Sequence, residues 1–471
     1  MSWQRFRAQG PARNVRRAFP ARLLVAASLA AGVVTLPALP AQAATVSVRC
    51  SVSDLVRAIR NANNSPGPDT LNLSHRCHYR LVRPDTANPA NGLPAITSDI
   101  TINGNGAAIT RAKTAPAFRI LLVAGTGTLT LNRTTISGGR ATDCPGAPAP
   151  PNPPGLVCGG GINNQGTLTV NHSRVIGNTA TSGVFAEGGG IDSDGTATLN
   201  NTDVSYNTAS YTGTDPSAAA GGGIANDGPM TVRHSRVTGN TVHVTRRSRD
   251  SFAFGAGHAA FAATTIVHST ISGNRASAPG GTARGALTSA VDMTVTDTFI
   301  RGNTASAWRG TVTGGGVAYT GTMLMTRTHV TGNRAIAEGG NALAGGIRIG
   351  PGGQLNLRDS AVIGNIVSAP RGRSAVGGGI DNSAGGTLTS SQSKIIKNVA
   401  TALGPGTARG GGLFNAIGSA SLTDSVVTGN TAGDGGGIFE ESGAVTLSDS
   451  VVRGNRPNNC APPNSVPGCV G

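Results

Sequence analysis

Asp192, Asp194 and Asp227 are the carboxylates of this 471-residue chain whose spacing could support chemistry. They lie in two similar stretches, GGGIDSD and GGGIAND, where they follow an aliphatic residue on strands that would lie next to one another. Carboxylates so placed could take up Ca²⁺ through their oxygens or share a proton as an acid pair. The residues after the aliphatic in nearby stretches are Asn163, Ala225, Ala259 and Thr288, so no third repeat completes the cluster. A ligand rather than a substrate would look for aromatic faces and guanidinium groups. Tyr211, Arg246, Arg247, Phe254 and Trp308 supply these between the regular segments. His172, His234 and His268 recur at one position and read as a solvated stripe, because two stacked imidazoles without a third ligand make a poor metal site. No metal is therefore assigned. His258 differs, standing where other segments carry Ile or Leu, either as a bonded core histidine or as a functional exception that joins the ligand candidates.

These residues sit in a repeat. Aligning on a recurrent Asn gives Asn178, Asn207, Asn240, Asn274, Asn303, Asn333, Asn365, Asn398, Asn430 and Asn455. Three positions earlier stands Val or Ile, as in Val175, Val204, Val237 and Ile271. Five earlier is always Ser or Thr, and sixteen to eighteen earlier a glycine run ends in an aliphatic such as Ile162, Ile191 or Ile224. Period-two alternation, Thr and Val enrichment and 70 glycines point to strands rather than helical repeats. Each repeat should supply three short strands, near GGGI, TLTV and SRVIG, whose inward residues stack on the next coil. The Asn residues should be structural, turning a corner in the left-handed region and bonding amide to amide along the axis. Insertions fall between the Asn and the next glycine run, at 179–187, 208–220 and 241–254, and read as loops forming one wall.

The GGGI and Val-x-Gly-Asn elements resemble the repeats of polymorphic outer-membrane proteins, with Val or Ile where that family prefers Phe. More broadly the chain resembles secreted right-handed parallel β-helix proteins of the pectin-lyase-like fold. That resemblance implies an all-β, single-stranded right-handed parallel β-helix, a solenoid of about twelve coils with an N-terminal helical cap. It also implies an alternative function as a polysaccharide lyase or glycoside hydrolase on acidic glycans. Asp192, Asp194 and Asp227 would then be catalytic, and Ca²⁺ would be a cofactor under that alternative only.

The expected organisation is a signal peptide over 1–43, a cap over 44–92 with a helix at 53–64, the β-helix over 93–456 and a tail over 457–471. Six arginines, the apolar run 23–36 and Ala41-Gln42-Ala43 make up the signal, with Sec and twin-arginine export both open. Removing those six arginines lowers the net charge from +16 to +10. The remaining cations are scattered and aromatics make up 3% of residues, which argues against a specific nucleic-acid reader. No stretch after the signal is apolar enough to span a bilayer. Six cysteines in an exported chain favour disulfides, and proximity pairs Cys50 with Cys77, Cys144 with Cys158 and Cys460 with Cys469. The expectation is a secreted, monomeric, non-catalytic protein that binds an extracellular polysaccharide or a cell-wall polymer.

Overall fold

The computed structural model describes residues 43–145, 155–213, 217–245, 251–403 and 406–470. The chain winds as a parallel β-solenoid of about 11 turns, and every strand ladder in it is parallel. One coil shows the plan. Ile162–Asn164 lies in a first sheet, Thr167–Asn171 in a second and Arg174–Ile176 in a third. Repetition builds these into sheets of twelve, fourteen and thirteen strands. Ile162 stacks on Ile191, Leu168 on Ala197 and Val175 on Val204, which in turn stacks on Val237, and all are buried. No coil could bury this apolar row alone, so stability comes from the stack.

The expectation of three strands per coil is corrected to five. The segments read as loops are strand pairs, with Thr179–Ser182 in a fourth sheet and Phe185–Glu187 in a fifth. Each of these sheets has nine strands. They form a fin with its own core, separate from the solenoid interior and lined mainly by Ala180, Ala186, Ala209, Ala219, Ala276 and Ala305. A methyl group is the whole side chain at these positions, so the two sheets can approach closely.

The recurrent Asn residues bond as a ladder, but their backbone is not left-handed. The preceding residue takes that conformation, usually glycine, as in Gly177, Gly239 and Gly302 (φ 60–65°). Tyr206 (φ 56°) and Lys397 (φ 53°) stand in for it in two coils. A left-handed L-residue costs about 1–2 kcal/mol, part of which glycine gives back through its freer unfolded chain. Lys397→Gly should therefore stabilise the protein by about 0.5–1 kcal/mol in chemical denaturation.

Before the coils, the helix Val52–Asn64 buries Leu55, Ala58, Ile59 and Ala62 against the first strands. Its N-cap, Ser51, makes no side-chain capping bond. The three disulfides join Cys50 to Cys77, Cys144 to Cys158 and Cys460 to Cys469, as proximity suggests. Among the described residues no helix is long and apolar enough to cross a membrane.

Candidate functional site

The fin decides where the candidate ligand residues go. Tyr211 ends a strand of the fourth sheet and is buried among the alanines. Phe254 ends a strand of the fifth sheet and is buried with its ring edge-on to Phe261, centroids 5.9 Å apart. Neither side chain presents an exposed face to a ligand, because both lie in strands rather than in loops. Arg246 and Arg247 lie outside the described residues. Trp308 remains at the surface, 47% exposed, in the turn between Thr304–Ala307 and Val312–Thr313 at the outer edge of the fin.

That edge is built on close glycine stacking. A Cβ on Gly310 would lie 1.6 Å from the carbonyl oxygen of Gly281, and one on Gly340 would lie 1.9 Å from that of Gly310. The amides of Trp308 and Arg309 both donate to the Pro279 carbonyl at 2.9 Å, and Gly339 donates to the Trp308 carbonyl at 2.8 Å. With glycine holding the backbones together, larger neighbours project outward. They line a cleft of about 590 Å³ that runs over successive coils, with Trp308, Arg309, Glu338, Asn341, Arg371 and Arg373 in its walls. Arg309, Arg371 and Arg373 are exposed, and the Asn341 Oδ1 has no hydrogen-bond partner.

The three candidate catalytic carboxylates do not share a surface. Asp192 is 1% exposed, at the point where the fin folds back on the first sheet. Gly188 (φ 58°) makes that turn, and a Cβ there would lie 2.5 Å from the Asp192 Cβ. Asn163 Nδ2 donates to Asp192 Oδ2 at 2.9 Å and to the Cys158 sulfur at 3.3 Å. Buried Glu187 completes the neighbourhood. Arg119 is also fully buried and pairs with Asp143 at 2.7 Å. Burial lowers the Arg119 pKa, while Asp143 and, more weakly, Asp192 oppose the shift. Asp194 and Asp227 instead occupy equivalent half-buried positions at the turn from the first to the second sheet.

The same buried column carries a second charged pair farther along, Arg348 with Asp381. Burial raises the Asp381 carboxyl above the usual range, and Arg348 and Ser383 pull it back.

His258 is wholly buried in the aliphatic column, Nε2 lying 2.7 Å from Asn226 Oδ1. Burial lowers its pKa from 6.5 to about 3, so the ring is neutral at pH 7 and faces no solvent. Its position is that of an interior residue, not of a ligand contact. His172, His234 and His268 are exposed at the left-handed corner between the second and third sheets, with the rings of His234 and His268 stacked at 4.9 Å.

Sequence reasoning missed Glu187, Asn163 and Arg119. Glu187 ends a segment read as a loop, and Arg119 precedes the regular repeats. It also missed an inward polar row one position beyond Asp192, where Asn164 donates to Ser193, Asn382 to Asn415 and Asn415 to Glu440. The recurrent Asn two residues after the aliphatic was a signal for that row. A scan against protein-family models, a search of the curated proteins and a search of the solved structures each return no match to this chain.

Proposed function

We propose that this is a secreted, non-catalytic protein that binds an anionic polysaccharide or cell-wall polymer along the outer edge of the fin. The cleft at Trp308 carries the reading. An exposed indole offers a flat face to the C–H side of a sugar ring. Arginine forks suit carboxylate or phosphate groups, and three arginines stand there against one glutamate. The cleft draws on four coils, which at strand spacing extend roughly 14 Å, a shape suited to a chain rather than a small molecule. Three disulfides suit an oxidising compartment outside the cell. The right-handed winding of the pectin-lyase-like fold belongs to the same reading, supported by the strong right-handed preference of parallel strand crossovers.

Retention on immobilised acidic glycans, compared with neutral ones, tests it. Trp308→Ala or Arg371→Ala should each weaken retention about five- to tenfold, as expected for losing roughly 1 kcal/mol. Added salt should weaken it further. Equal retention of the variants would defeat the assignment. Release of reducing or unsaturated ends, lost in Asp192→Ala, would replace it with the lyase or hydrolase alternative.

A further inference from the structure

The Cys144–Cys158 disulfide lies against Glu187 and Asp192 at the first coil of the fin. One donor atom from each of the four residues lies within 4.8 Å of the other three. We propose that reduction of this disulfide creates a tetrahedral site for Zn²⁺, or another thiophilic divalent cation, made by Cys144, Cys158, Glu187 and Asp192.

The donor set carries the chemistry. Two thiolates and two carboxylates form a four-coordinate ligand set acceptable to zinc, and the sulfurs of such a site stand about 3.7 Å apart at ordinary zinc–sulfur bond lengths. The covalent bond holds them closer than that, so cystine and metal exclude each other. Asn163 supplies an independent observation. It is wholly buried, bridges the Cys158 sulfur and the Asp192 carboxylate through Nδ2, and leaves Oδ1 without a partner. An amide that orients both a sulfur and a carboxylate is the kind of outer support that metal ligands require.

The reaction is balanced by a dithiol reductant. It passes two electrons and two protons to the cystine and becomes a disulfide itself. The cation then takes both sulfurs as thiolates, and their protons leave to solvent. Oxidation reverses the sequence and expels the metal. Zinc would thus hold the coil closed wherever thiols stay reduced, and the disulfide would hold it elsewhere.

Co²⁺ is the probe for the test. The full chain, reduced with a dithiol and titrated anaerobically, should develop thiolate-to-cobalt charge-transfer absorption and strong tetrahedral ligand-field bands. These should saturate at one equivalent and vanish when Zn²⁺ is added. The oxidised protein should show neither feature. Asp192→Asn should weaken cobalt binding at least about tenfold. Cys144→Ser keeps the other two cysteine pairs, so unchanged bands in that variant would assign the metal elsewhere and overturn the proposal. Alkylation read by mass spectrometry provides a measurement that does not depend on the variants folding. Bound Zn²⁺ should protect Cys144 and Cys158 at least about tenfold in rate, and equal labelling with and without metal would also overturn it.

Discussion

Asn303→Asp should cost about 3–5 kcal/mol of stability, although the two side chains have nearly the same shape. Asn303 is wholly buried, with its amide fully used. Oδ1 accepts from the backbone and side-chain amides of Asn274 at 2.9 and 3.0 Å. Nδ2 donates to the Ile271 carbonyl at 3.0 Å and to Asn333 Oδ1 at 2.9 Å. Aspartate would place an oxygen where two acceptors already point, and would bring a charge into a site without a counterion in this ladder. Protonation would restore one donor at most.

Asn171→Asp is the matched control. Asn171 also belongs to an Asn ladder, donating to Asn132 and accepting from Asn200, each at 2.9 Å. That ladder lies half-buried on the outer face of the second sheet, so water can replace the lost donor and the cost should stay near or below about 1 kcal/mol. Long repeat arrays can unfold in parts, so the comparison needs hydrogen exchange as well as a denaturation midpoint. Accelerated exchange should centre on Phe299–Arg301 and His329–Thr331. Equal losses for the two variants would show that burial does not set the strength of the ladder.

The difference between these ladders also explains what could be read from the residues. The main interior was legible because Val175, Val204, Val237 and their counterparts are β-branched, strictly spaced and stacked. The disulfides were legible because each pair is close in sequence. The fin was not, because its strands are two to four residues long and its inward side chains are chiefly alanines, which have little strand preference. Its signal was close packing, and glycine and alanine do not announce that by hydrophobic period. Misreading the fin misplaced Tyr211 and Phe254 on a wall and left Glu187 unnoticed. Trp308 stayed at the surface because it falls in a turn rather than in a strand. The His258 position in the aliphatic column suited a bonded core histidine and a functional exception alike, and its full burial makes it an interior residue.

That location makes His258 the source of a large acid sensitivity. Its imidazole titrates at about 3 in the fold against 6.5 when unfolded, through loss of solvation alone. The unfolded chain therefore binds the proton first as pH falls. The stability lost is negligible above pH 6.5, grows as pH drops from 6.5 toward 3, and levels off below that. At pH 4.5 the deficit should be about 2–3 kcal/mol, and at the acid limit roughly 5 kcal/mol. His258→Leu installs the type of residue that neighbouring Leu287 already supplies in this column. It removes the titrating group, and Asn226 Oδ1 keeps a weaker contact from Thr264 at 3.4 Å. At pH 7 the variant should be equal to wild type or less stable by about 1 kcal/mol, for the lost hydrogen bond. Below about pH 5 the order should reverse, with the variant more stable. Denaturation midpoints of both proteins from pH 3.5 to 7.5 would reveal the crossing. Parallel curves would mean that the buried imidazole finds a counter-charge or water on protonation, and that the acid response of the fold comes from its carboxylates.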